Sequence, residues 1–212
     1  LVVEEAVDND TLERLRAQMD AWAEESRKHT EPYGEPTVDG RPRFDLEENH
    51  SAERPALRRI NNPVEISDHF YKVMTDAPMV DMVATLIGPD VKYHHCKINS
   101  KLPGSQMVVH YHQDFPYTPH TNDDVITALL LLDDVDKGNG CLMVVPGTHK
   151  GAIDSLYESG EFTGKVNPVL EEEYLKRQVP IEGKAGSVCL MHTRLLHGSE
   201  TNLSKDRRRA IY

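Results

Sequence analysis

Long apolar runs are missing from this chain: none approaches the roughly 18 residues that a membrane-spanning helix needs, and no secretory-leader pattern opens the sequence. Cysteine is scarce. Cys96, Cys141 and Cys189 are odd in number, far apart and without CxxC spacing, which excludes a disulfide framework and points to free thiols in a reducing, cytoplasmic setting. Positive charge is outnumbered, 24 Lys and Arg against 35 Asp and Glu. The formal net charge of -11 argues against nucleic acid or an anionic membrane as partner, because long-range repulsion opposes both encounters. It leaves room for an anionic small molecule in a locally basic pocket. Repeats and low-complexity tracts are absent. What is present suffices for one self-contained core: 212 residues, 38% of them hydrophobic. The pattern bears on a single domain and leaves the oligomeric state open.

Both ends read as cut through strands, at Leu1-Val2-Val3 and at Arg209-Ala210-Ile211-Tyr212. Asp8 or Asp10 can cap a helix to about residue 28, with Leu12, Leu15, Met19 and Trp22 along one face. Residues 30–56 are rich in Pro, Gly and charge and read as a long surface loop, a candidate lid. Helices are expected over 64–75 and 79–87, the second stopped by Gly88-Pro89. From about residue 91 the character changes. Short apolar or alternating segments at 91–100, 107–114, 125–132, 142–145, 178–181, 187–192 and 208–212 are bounded by turn residues. A helical part over about 1–90 followed by strands over 91–212 predicts an α+β fold, the strands closing as a barrel or jelly roll.

Chemistry concentrates at two places in the strand-rich half. His110-Tyr111-His112-Gln113-Asp114 sits at a strand end, where alternate residues face one side, so His112 and Asp114 can point inward together. Two histidines and a carboxylate on one face would leave open metal positions for a bidentate ligand and dioxygen. HxD alone is weak, since a chain with 11 histidines produces one easily by chance. The second place is Gly186 to Asn202, reading strand, turn, strand, with His197 followed by Gly198 and Ser199. Arg208 then begins another strand. A basic run at a strand start is usually solvated, but strand alternation turns Arg208 inward and leaves Arg207 and Arg209 facing out to solvent, and an inward guanidinium can grip a carboxylate with two parallel hydrogen bonds.

These residues, in order, resemble the phytanoyl-CoA dioxygenase family of iron/2-oxoglutarate oxygenases. The resemblance rests on His112-Gln113-Asp114, on Asn139-Gly140-Cys141 through Pro146-Gly147-Thr148-His149, and on His197-Gly198-Ser199 with Arg208. It implies a double-stranded β-helix, a cupin-like jelly roll, with the N-terminal helices packed on one sheet. It also implies iron(II) held by His112, Asp114 and His197, the cosubstrate 2-oxoglutarate held by Arg208 and Ser199 with Lys101, and dioxygen as co-reactant. The activity implied is hydroxylation of an unactivated C–H in a small molecule, with release of succinate and CO2. Lys97 and Asn99 share parity with Lys101 on one strand and are candidates to touch substrate. The acidic composition and the lack of an evident basic patch favour a small polar or natural-product-like acceptor over a CoA ester.

Rival readings attach to nearby residues. His110 has the parity to face inward, His149 suits a structural turn, and His192 at a strand end is expected to pack or to line the pocket. Gly104, His110 and His112 also reproduce the opening of a cupin motif, so a cupin-like isomerase, hydrolase or sugar-binding module is the alternative; Pro116 and Tyr117 stand where its glutamate belongs. A zinc hydrolase with the same three ligands would leave Arg208 without a role. A metal-free binding domain would leave the whole ligand set without one.

Overall fold

Alternation along one strand shows how the layers form. In the segment Leu129 to Leu132 every residue is buried. Leu130 and Leu132 pack with the helical layer, whereas Leu129 and Leu131 pack toward a second sheet. A strand covered on both faces is apolar throughout, and each fully buried leucine contributes roughly 1.5–3 kcal/mol of transfer free energy.

The structure, a computed structural model, describes residues 1–212. In chain order the strands are β1 (Val2–Val3), β2 (Phe44–Leu46), β3 (Leu57–Asn61), β4 (Lys97–Lys101), β5 (Val109–His112), β6 (Ile126–Leu131) and β7 (Leu142–Val144). They continue as β8 (Tyr157–Glu158), β9 (Glu161–Phe162), β10 (Val179–Ile181), β11 (Val188–His192), β12 (His197–Ser199) and β13 (Arg208–Ile211). Seven form one sheet in the order β1-β11-β6-β13-β4-β3-β2, and four form the other in the order β10-β7-β12-β5. All pairings in both sheets are antiparallel. The short β8–β9 hairpin stands apart. Two antiparallel sheets face to face, connected by crossovers, are the expected jelly roll.

The helices α1 (Asn9–Ser26), α2 (Asp68–Asp76) and α3 (Pro78–Ile87) precede the main strands, and α4 (Pro168–Leu175) lies between β9 and β10. Asp8 caps α1 by accepting a hydrogen bond from the Thr11 amide at 2.7 Å. Leu12, Leu15 and Met19 then bury against Phe70, Val73 and Ile98, at the spacing of one helical face. No helix is long and apolar enough to cross a membrane.

Several boundaries differ from expectation. The stretch 30–56 is not a plain loop: it holds β2, which pairs with β3 and carries the large sheet two strands further. The turn-forming composition hid it. Residues 91–95 are exposed and outside any strand, so β4 begins at Lys97. A 3-10 turn at Pro63–Glu65 precedes α2, which starts at Asp68. Arg209 is the clearest correction. It faces away from Arg208, as alternation requires, but is 3% exposed rather than solvated. Asp133 accepts from its amide, its Nε and its Nη2, each at 2.9 Å, and Asp20 of α1 accepts from Nη1 at 2.9 Å. A charge leaves water only when paired in this way, and here the pair fastens α1 to the sheet.

Candidate metal and cosubstrate site

β12 runs between β5 and β7, and its register puts His197 directly opposite His112. Adjacent strands bring facing side chains within about 5 Å, and the two imidazole centroids lie 4.4 Å apart. Asp114 follows two residues after His112, just past the end of β5. Its Oδ1 is 3.5 Å from His112 Nε2 and 3.6 Å from His197 Nε2. The three donor atoms lie within 4.8 Å of one another, which is ligand spacing around a single ion.

Backbone carbonyls fix which ring nitrogens face the centre. Nδ1 of His112 lies 2.7 Å from the carbonyl of His110, and Nδ1 of His197 lies 2.9 Å from that of Leu195. Each Nδ1–H therefore donates to the carbonyl two residues upstream, and each Nε2 keeps its lone pair for a metal. Burial pushes His197 down to about 4, so the ring is neutral at pH 7, as a ligand must be. Asp114 is held below the usual carboxylate range: burial works to raise it, but the two imidazoles and the Lys97 ammonium outweigh that. Its second oxygen, Oδ2, accepts from the Thr127 hydroxyl at 3.1 Å. Thr127 escaped the sequence reading because only the position of β6 reveals that contact.

The residues expected around the cosubstrate also come together, on strands from both sheets. Arg208 of β13 is the register partner of Lys101 on β4. Lys101 is fully buried, and its Nζ donates to Ser199 Oγ of β12 at 2.8 Å and to the Glu200 carbonyl. Burial and the adjacent Arg208 push the Lys101 ammonium down to about 7. Arg208 is 1% exposed. Its Nη2 donates to the Tyr212 hydroxyl at 2.8 Å, its Nε has no partner, and no carboxylate forms an ion pair with it. A buried guanidinium without a counter-ion is an anion receptor. The residues present suit a metal ion with an adjacent dicarboxylate.

Lys97 and Asn99 line the same face of β4. Lys97 Nζ lies 5.7 Å from the Tyr212 ring centroid, and Asn99 is buried with its Oδ1 accepting from Arg59 Nε at 3.1 Å. Tyr117 stands edge-on to His112, 5.4 Å between ring centroids. The rival histidines are elsewhere. His110 is exposed and outside the cluster, which removes the ligand that a cupin set requires. His149 and His192 lie against each other, tilted, with ring centroids 5.9 Å apart. Gln113, pointing opposite to its neighbours, is buried and ties together Arg194, Ala152 and Asp154. Arg43 is a structural brace, bonded to the Asn61 and Asn62 carbonyls and to Glu65. A cleft of about 680 Å³ between the start of α1 and α2 includes none of these residues.

The family described as Phytanoyl-CoA dioxygenase (PhyH) matches residues 1–210. The chain is 35% identical over 175 residues to a Stutzerimonas stutzeri protein described as "Probable alpha-ketoglutarate-dependent hypophosphite dioxygenase", covering 79% of this chain and 60% of that one. It is 26% identical over 221 residues to the peroxisomal phytanoyl-CoA dioxygenase of Homo sapiens, covering 100% of this chain and 63% of the relative. The chain thus spans about three fifths of the length of these two curated relatives. Among solved structures, EctD from S. alaskensis with bound Fe superposes with a TM-score of 0.77 at 22% identity, over 100% of this chain and 70% of that one. That likeness establishes the fold.

Proposed function

The chain belongs to the phytanoyl-CoA dioxygenase family, and we propose that it is an iron(II)- and 2-oxoglutarate-dependent dioxygenase that hydroxylates an unactivated C–H bond of a small molecule. The observation that carries this reading is one arrangement: three donor atoms converge within 4.8 Å, and behind them Arg208 is buried without a counter-ion. The relative from Stutzerimonas stutzeri is described as alpha-ketoglutarate-dependent, and a solved EctD structure is described with 2-oxoglutarate and 5-hydroxyectoine; both support the cosubstrate. The free buried thiols and acidic composition support a single domain working on a small molecule in a reducing cytoplasm.

His112, Asp114 and His197 would hold iron on one face and leave the opposite positions for cosubstrate and dioxygen. When bound, the metal supplies the dioxygen chemistry that converts 2-oxoglutarate to succinate and CO2 while the acceptor is hydroxylated. The protein's share is placement. Arg208 and Ser199, with Lys101, take the distal carboxylate and so set how far the keto acid reaches toward the three ligands. Thr127 keeps Asp114 from rotating. The apolar cluster of Leu129, Leu131, Val144 and Met191 between the sheets keeps water from one side of the site.

The test is Asp114→Ala. Substrate-dependent succinate release should fall to background, together with the weak visible absorption that anaerobic iron(II) and 2-oxoglutarate give when bound side by side. Hydroxylation that survives this substitution would overturn the ligand assignment.

A further inference from the structure

Folding gathers cations around the metal ligands from separate strands. Arg208 and Lys101 belong to the cosubstrate. Two more remain. Arg59 on β3 is the register partner of Asn99 on β4, and its Nε donates to Asn99 Oδ1 at 3.1 Å. Its two terminal amino groups have no partner in the protein. Asp45, opposite Arg59 in the β2–β3 register, instead binds Arg58. Lys97, two residues before Asn99 on the same face, forms no hydrogen bond through Nζ; its recorded contact is the Tyr212 ring at 5.7 Å. No carboxylate makes an ion pair with Arg59 or Lys97. Arg41, the remaining cation nearby, is exposed and bonded to Asp39 at 3.0 Å.

Electroneutrality decides what this means. Asp114 is the carboxylate whose field reaches Lys97, and in the reading above it is committed to the metal. The distal carboxylate of 2-oxoglutarate is matched by Arg208, and its other end by iron. Arg59 and Lys97 then stand half-buried without a direct ion-pair partner, Asp45 acting on Arg59 only through its field while bound to Arg58, an arrangement that is costly without a closer counter-charge. Desolvation already presses on Arg59, lowering its affinity for its proton. A guanidinium with both terminal nitrogens free is the side chain best shaped to take a planar or tetrahedral oxyanion with two parallel hydrogen bonds.

We propose that Arg59, with Lys97 beside it, forms an anion-binding wall of the substrate chamber, so that the acceptor carries a compact oxyanion group, a phosphonate or a carboxylate. This rests on the oxygenase reading and adds the substrate class to it. Asn99 becomes a positioning residue: it orients Arg59 and does not itself meet the anion.

The experiment uses protein loaded anaerobically with iron(II) and saturating 2-oxoglutarate, titrated calorimetrically with methylphosphonate, acetate and neutral acetamide. Wild type should bind one or both anions in preference to acetamide, and the stronger anion identifies the group. Arg59→Gln should weaken that anion about tenfold or more, the loss expected for a charge-assisted pair. Arg59→Lys should recover part of it. The iron–2-oxoglutarate absorption should persist in both variants and throughout the titration. Equal anion affinity in wild type and Arg59→Gln overturns the inference while leaving the oxygenase reading intact. So does loss of the absorption as anion is added, because the anion would then be displacing cosubstrate. Absence of the absorption from wild type itself removes the oxygenase reading, and this inference with it.

Discussion

Under the proposed function, Lys101 is a residue whose protonation should change when the cosubstrate binds. Burial and Arg208 push its ammonium from 10.5 to about 7, so between those values the unfolded chain holds one more proton than the folded one. The sign follows: this group's contribution turns against the fold as pH falls from 10.5 toward 7, and changes no further below that. A carboxylate placed beside Nζ reverses the balance and restores the proton. Binding of 2-oxoglutarate at pH 8 should therefore take up roughly one proton per site, read as a dependence of the calorimetric enthalpy on buffer ionisation heat. Lys101→Met should abolish the dependence, and an unvarying wild-type enthalpy would place the carboxylate away from Lys101. At this scale the sequence was informative about which polar side chains gather and silent about their supports. His112, Asp114, His197 and Arg208 are legible because residue type, parity and chain order all constrain them. Thr127 and Arg59 are ordinary strand residues, and their importance comes from which strand lies alongside.

Strand register governs the elements, and Gly198 shows how tightly. It separates His197 from Ser199 on β12, and a Cβ there would sit 2.8 Å from the Val109 carbonyl and 3.0 Å from the Tyr111 ring. Both obstacles belong to β5, the strand that carries His112. Gly198→Ala must push β12 away from β5, and the two imidazoles with it. We expect iron(II) or cobalt(II) affinity to fall about tenfold to a hundredfold, the range seen when supports of metal ligands are lost. The overall fold should survive, since the seven-stranded sheet is untouched; equilibrium metal titration with a far-ultraviolet circular dichroism control separates the two. Unchanged metal affinity would mean that β5 yields without moving His112. The strands of the second half were readable from alternation and turn residues. β2 was not, because three residues between Pro- and Gly-rich segments carry too little pattern to separate from loop. Arg209 was placed on the correct face but in the wrong environment, since no local pattern announces that Asp133 and Asp20 await it.

Across the whole molecule the site belongs to neither sheet alone. His112 and His197 lie on the four-stranded sheet, Arg208 and Lys101 on the seven-stranded one, and Ser199 reaches across from β12 to bond Lys101. Under the proposed function, a cosubstrate held at both ends would tie the sheets together. Scanning calorimetry under anaerobic conditions should then show two increments: one from iron(II), and a second from 2-oxoglutarate that needs the metal. At a hundred times the dissociation constant each is worth about 2.7 kcal/mol, or roughly 5–10 °C in Tm for a domain of this size. Arg208→Ala should erase the second increment and keep the first; a 2-oxoglutarate increment that persists in this variant would mean that another group holds the distal carboxylate.

The position of β13 carries one more implication. Among the seven strands of its sheet it comes latest in the chain, yet it sits at the centre, between β6 and β4. Until Arg208–Ile211 has emerged, the two halves of that sheet face each other across a gap, each with a row of amide and carbonyl groups open to pairing with another chain. The segment that closes this seam also delivers Arg208. A nascent chain arrested just short of it leaves both inner edges open and lacks Arg208, so under the proposed function the closing of the seam and the arrival of the carboxylate receptor are one event.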